Sequence, residues 1–425
     1  MPVSAAPSLE LRTTPAVSAL APSRRLQHVD TIRGMLLVIM AVNHVPSPLH
    51  AVTDHPFGFM SAAEGFVFMA GLMAGLTYTR KWFRAGIEEL KQSCVRRTVL
   101  IYRWHILMLV LVLGSLMLIG GITGIHPAHT PTALIERPAM FSLAAFTLVQ
   151  QPPLFDVLPL YCAFIALTPW CLRRFARYSY ATVVFSSLCV WAIANILCPQ
   201  QPFIRGVVDT GAFNLFAWQF IFVAGLAFGH RWACRQADAS AAPLPPILSA
   251  PPPLGWALLG GVALLLFSVR HAFMPSFLPE PVLAALTNKN NLAPFRLLDT
   301  ALILYFGYLV VTRFPRAFSW KPLALIGRSS LAAFAIHIPV AYFLQAHPEL
   351  FAETNTGRWL STLIILSSLV LTALVYTRAN ASSQDHRDPA RTKALSPTAQ
   401  GILNSRPWIP SASPVRLASS SKSTN

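Results

Sequence analysis

Hydrophobic residues recur along this chain in long blocks separated by short polar gaps. The blocks predict helices near 31–50, 58–79, 98–121, 154–172, 179–198, 212–230, 254–271, 296–312, 323–345 and 358–377. Each approaches the roughly 20 residues that an α-helix needs to cross hydrocarbon. Segment 138–150 is shorter and interrupted, and predicts an outer interfacial helix. The pattern predicts an all-α integral membrane protein, a polytopic bundle of about ten transmembrane helices. Basic residues set its orientation. Arg24 and Arg25, the run from Arg80 to Arg97, Arg173 to Arg177, Arg231 and Arg235, Arg313 to Lys321, and Arg378 fall in alternate gaps, so both termini are expected to be cytoplasmic.

Composition agrees. The 425 residues are 54% hydrophobic and 12% charged, about half the charged fraction of soluble domains. The net charge of +17 is accounted for by the inner gaps. With no zinc-finger spacing or aromatic RNA-binding motif beside it, the predicted partner is a lipid bilayer and not nucleic acid. Six scattered cysteines form no C-x-x-C pair and read as apolar fillers. Residues 1–25, rich in Pro, Ser and Ala, predict a disordered cytoplasmic arm without a cleavable signal peptide. A membrane domain is expected over 26–377, with a Pro/Ala-rich cytoplasmic linker at 237–255, and a disordered basic tail over 378–425.

Ionisable residues inside the blocks are the candidates for chemistry, because their burial in a membrane is costly. Arg33 and His44 are eleven residues apart, close to three helical turns, so they share one face about 16 Å apart along the axis. Arg33 is expected near the inner surface, where an arginine can also snorkel to headgroups. His44 is expected in the outer half. Glu64 falls at a similar depth across a tight hairpin, where it could fix the imidazole tautomer and raise its basicity. Asp156 is expected as an N-terminal cap, Trp218 as an interfacial anchor, and Gln219 and Asn291 as possible oxyanion donors. Arg296 and Asp299 could form an i,i+3 ion pair, and His337 could be packing or function. Gly65, Gly71, Ala74 and Gly75 would allow close helix approach. No clustered ligand set calls for a metal. G-x-S-x-G, P-loop and H-E-x-x-H motifs are absent.

Five stretches carry a resemblance: "HVDTIRGMLLVIMAVNHVP", "FGFMSAAEGFVFMAGLMAGLTY", "FDVLPLYCAFIALTP", "FNLFAWQFIFVAGLAFG" and "NNLAPFRLLD". In this order, from about residue 25 to residue 345, they resemble the OpgC family of bacterial inner-membrane proteins, itself similar to the membrane acyltransferase-3 superfamily. The resemblance implies a succinyl transferase for osmoregulated periplasmic glucans. It would use succinyl-CoA or another acyl-CoA as co-substrate and hold no bound cofactor. It gives His44 the catalytic role, Arg33 a partner role and Glu64 the acidic position of the second-helix motif. Asp156, Gln219, Asn291, Arg296, Asp299 and His337 are then expected at the substrate. Two departures leave the acyl group and acceptor open: Asp299 stands where the family commonly has histidine, and "SSLAAFAIHIPV" looks more like acyltransferase-3 proteins. The alternatives are O-acetylation of another cell-surface glycan and proton-coupled transport of a polar solute. No inverted repeat favours the transporter.

Overall fold

A computed structural model describes residues 26–124, 126–127, 130–197, 213–237, 253–275 and 278–385. The N-terminal arm expected over 1–25, nearly all of the linker expected at 237–255 and the tail beyond 385 lie outside the described residues. These are all-helical, without a strand. In chain order they form α1 (Gln27–Asn43), α2 (His50–Thr53), α3 (Ala62–Thr123), α4 (Thr132–Glu136), α5 (Pro138–Phe146), α6 (Val157–Arg177), α7 (Tyr180–Leu197) and α8 (Leu215–Ala237). There follow α9 (Pro253–Arg270), α10 (Glu280–Thr287), α11 (Pro294–Arg313), α12 (Lys321–Arg328), α13 (Ser330–Gln345), α14 (Pro348–Phe351) and α15 (Asn355–Asp385). The described residues up to Leu374 form one compact unit, and those from Val375 onward belong to a second. The site and its supporting contacts belong to the first.

Local chemistry explains several boundaries that hydropathy missed. The first helix stops at Asn43, not near residue 50, and His44 is its C-cap (φ −92, ψ 0). Pro46 lies two residues on, and a proline disfavours helix at the residue before it. The gap expected over 80–97 is helical and joins two predicted spans into the 62 residues of α3. Straight, that helix would be about 93 Å long, three times the roughly 30 Å of hydrocarbon. A break at Gly86 (φ 80, ψ −178) divides it into two arms. Ser61 and Glu64 make a capping box at its start, which "SAAE" encodes. The ninth expected span is a bent pair, α12 and α13, meeting at 86°. The segment expected at 138–150 is helical over α5, with the short α4 before it; α10 was not anticipated, and α15 runs helically past residue 377.

Among the described residues, four helices are long and apolar enough to cross a membrane, five if the bent pair counts as one span. Their outward faces carry exposed apolar side chains such as Leu118 on α3, Phe185 on α7 and Leu371 on α15. Such faces suit lipid tails, and helix association must then come from close packing. The packing of α3 on α8 supplies it. A Cβ on Gly71 or Gly75 would strike the carbonyls of Phe222 and Leu226, and one on Gly225 or Gly229 those of Phe68 and Leu72. Gly34 and Gly327 bring α1 and α12 together in the same way. Gly225→Leu is therefore expected to force the helices apart at a cost of about 1–3 kcal/mol or more. A lowered thermal midpoint in detergent would show it; an unchanged midpoint would contradict this packing.

Candidate functional site

His44 is held from three sides. Gln345 of α13 donates to its carbonyl at 2.5 Å. Ser361 of α15 donates to the Pro46 carbonyl, and Thr362 donates to the Ser47 hydroxyl at 2.8 Å. His44, a residue of intermediate exposure, meets His337 in nearly parallel rings: His44 Nδ1 is 3.1 Å from His337 Nε2, and the planes differ by 12°. His337 is fully buried, and its Nδ1 is 2.6 Å from the Phe334 carbonyl. Only an N–H can bond that oxygen, so His337 Nδ1 carries the proton and Nε2 accepts. His44 Nδ1–H must then donate to it. This leaves the lone pair of His44 on Nε2, the arrangement a base or nucleophile needs.

The expected orienter of His44 was Glu64. The structure assigns that work to His337, and Glu64 is spent elsewhere. Fully buried, Glu64 accepts from the Ser61 backbone at 2.9 Å and from the Ser61 hydroxyl. Arg296 Nη1 donates to its other oxygen at 2.6 Å. The anticipated ion pair between Arg296 and Asp299 is replaced by this Arg296–Glu64 pair, 6% and 0% exposed at the respective side chains. Asp299 instead accepts the Met60 N–H at 2.8 Å. It lies so close to Gly58 (φ +129) that a Cβ there would stand 2.8 Å from its carboxylate. Glycine is required at that position on both counts.

The network continues outward from Arg296. Its Nη2 donates to His55 Nε2 at 3.2 Å, and its Nε to the Thr287 carbonyl at 3.2 Å. His55 Nδ1 is 2.6 Å from Asp54, which Arg270 of α9 also reaches at 3.2 Å. His55 lies in the loop before α3. Burial lowers its pKa below the ordinary 6.5; Asp54 opposes the shift, and Arg296 and Arg270 add to it. Below pH 6.5 the unfolded chain therefore binds more protons than the folded one, and stability falls as pH drops. The thermal midpoint is expected to decrease from pH 7 to pH 5.5, and His55→Gln should flatten the decrease. Equal slopes in both proteins would rule out His55 as its source.

A third group is structural in its bonding. The backbone of 288–293 is gripped by α7 and α8. Trp218 donates to the Lys289 and Asn290 carbonyls at 3.3 and 3.1 Å, and Trp191 to Leu292 at 2.9 Å. Asn195 donates to the Asn291 carbonyl at 3.0 Å, and the Asn214 side chain to Asn291 Oδ1 at 3.1 Å. Trp218 is wholly buried, so it pins this loop and is no interfacial anchor. Gln219 accepts from the Ser187 hydroxyl of α7 at 2.6 Å and donates one N–H to the Ser187 carbonyl at 2.8 Å, which ties both ends of its amide to the neighbouring helix. Asp156 occupies the N-cap position of α6 without making the cap bond. It lies within electrostatic reach of Tyr342, whose hydroxyl donates to the Pro153 carbonyl at 2.7 Å.

At the opposite end of α1, Arg33 donates to the Ser330 hydroxyl at the start of α13. Asp30, 4.0 Å from Arg33, also lies 3.5 Å from Arg328. These contacts replace the snorkelling expected of a flanking arginine. Between the two ends, an aromatic row of Tyr161, Phe66, Phe334 and His337 runs with ring centroids 5.9, 6.2 and 5.0 Å apart. The Tyr161 hydroxyl is buried without a hydrogen-bond partner and within electrostatic reach of Arg33. A groove of about 480 Å³ opens beside Gln27, Lys321, Pro322, Leu325 and Arg328.

The expected residues are thus not one bonded cluster: His44 meets His337 and Glu64 meets Arg296, while Asn291, Gln219 and Arg33 bond to other partners. Sequence reasoning missed Asp54, His55, Arg270 and Ser330; "TDHP", a charged run inside an apolar hairpin, was the available signal for the first two. In comparisons with known proteins, the family described as OpgC protein matches residues 24–383. No curated protein and no solved structure matches.

Proposed function

The chain belongs to the OpgC family, and on that premise we propose that it is a membrane acyltransferase moving an acyl group, succinyl by preference, from a cytoplasmic acyl-CoA to hydroxyls of periplasmic glucans. The observation that carries the reading is the His44–His337–Phe334 relay, which leaves one unprotonated ring nitrogen at a partly exposed position. In this reading about ten spans cross the bacterial inner membrane with both termini cytoplasmic, and the His44 end of α1 faces the periplasm.

A sugar hydroxyl is a poor nucleophile at neutral pH and needs its proton removed as it attacks. His44 Nε2 takes that proton while the hydroxyl oxygen forms a bond to the thioester carbonyl carbon. The carbon–sulfur bond then breaks, and the departing thiolate receives the proton. His337 holds the tautomer and accepts the Nδ1–H bond, which strengthens as His44 becomes cationic. Attack of His44 Nε2 on the thioester, giving an acyl-imidazole, is the covalent form of the same chemistry. The basic end of α1, with Arg33, Arg328 and Lys321, suits an anionic nucleotide. The aromatic row suits the acyl arm. Glu64 and Arg296 brace the helices that frame the site.

Deletion of the gene followed by complementation tests the assignment. Periplasmic glucans from the deletion strain are expected to lose negative charge, and the wild-type gene to restore it. Unchanged glucans in the deletion strain would overturn the glucan acceptor.

A further inference from the structure

Lys289 is the charged residue near His44 that the network leaves over. Its ammonium lies 5.7 Å from the Phe213 ring centroid and within electrostatic reach of the His44 imidazole. No ion pair among the described residues uses it, and it is only partly exposed. Other cations in this region are engaged: Arg296 by Glu64 and Arg270 by Asp54.

The loop beneath it is built to stay put. Two indoles and two asparagines hold its carbonyls and amides. Leu292, fully buried, is held at φ 48, a left-handed conformation that is unfavourable for a leucine. Strain kept in place by surrounding bonds is common where a side chain must be presented at a site. A lysine carried on such a platform, beside an aromatic face and without a counter-ion among the described residues, is arranged to receive a negative charge.

Resting on the acyl-transfer reading, we propose that Lys289 sets acyl specificity: its ammonium pairs with the terminal carboxylate of a dicarboxylic acyl group whose thioester carbonyl stands at His44. A four-carbon dicarboxylic group places a charge a few bonds beyond the reacting carbon, whereas acetyl and butyryl place none. Lys289 touches the non-reacting end of the substrate. Its effect therefore depends on which acyl group is offered, and this separates it from an oxyanion stabiliser, which would serve every donor.

The test compares succinyl-CoA with butyryl-CoA, a neutral donor of equal chain length, on the purified full-length protein with glucan acceptor. Wild type is expected to favour succinyl-CoA in kcat/KM. Lys289→Met keeps the apolar stem and should lower succinyl transfer by about 10- to 100-fold, the range for a hydrogen bond to a charged group, while butyryl transfer stays within about twofold. Lys289→Arg should retain most of the succinyl preference. Equal loss of both donors in Lys289→Met, or no loss of either, would overturn the proposal. Should that variant fail to fold, the wild-type preference decides: equal use of the two donors refutes a carboxylate-reading residue. A wild-type protein that transfers neither group overturns the acyl-transfer reading and the lysine's role with it.

Discussion

Replacing His44 by glutamine is expected to slow acyl transfer by about 10²–10⁴-fold, the usual contribution of a general base. Glutamine is the informative choice because its amide can still donate to His337 Nε2, which alanine would leave unpaired at a cost of about 1–3 kcal/mol. Loss of rate without loss of stability then isolates the basic nitrogen from its packing. Release of free thiol from an acyl-CoA donor measures the rate, and thermal unfolding in detergent measures the fold. His337→Leu keeps His44 but removes the acceptor for its Nδ1–H. It should lower kcat with little change in KM, since His337 is fully buried and positions His44 from behind.

Arg296→Leu is expected to have the largest effect on stability, about 3–5 kcal/mol, because it strands the carboxylate of Glu64 in the interior. Glu64 keeps its two bonds from Ser61, but these do not neutralise a charge. The same change also removes the bond to His55 and the tie to the Thr287 carbonyl, so the loop before α3 and the end of α10 lose their common anchor. Pairing Arg296→Leu with Glu64→Gln should recover part of the loss, since the uncompensated charge is then gone. Yield and thermal midpoint of the single and double variants check this. A single variant as stable as wild type would show that the buried pair does not hold these elements together.

Hydropathy made the helices legible because it reports the medium a segment lies in. For the same reason it read residues 80–97 as a non-helical gap, although Glu88, Glu89 and Lys91 are good helix formers and only Gly86 in that stretch leaves helical geometry. The end of α1 was legible in principle from Pro46, and the start of α3 from "SAAE". The bend between α12 and α13 was passed over: it falls at Ser329 in the polar stretch Gly327-Arg328-Ser329-Ser330, which is too short to interrupt the apolar block that contains it.

Residue types at the site were legible through the cost of burying them; their pairings were not. His44 and His337 are 293 residues apart, and Glu64 and Arg296 are 232 apart. Nothing in a single sequence says which distant partner reaches which group. Glu64 was therefore matched to the histidine expected at its own depth across the hairpin, while helix packing gave that histidine a neighbour from α13. Gln219 shows the converse: a polar residue within an apolar helix looked available, and Ser187 of the adjacent helix uses both of its ends.

The central claim is that this chain itself transfers an acyl group through His44. The most direct measurement is the mass of periplasmic glucan after incubation with succinyl-CoA and purified protein in detergent, without any ion gradient. The account predicts glucans carrying added succinyl groups with wild type, and unmodified glucans with His44→Gln that unfolds at the wild-type temperature. Equal modification by the two proteins, or none by wild type, would contradict it.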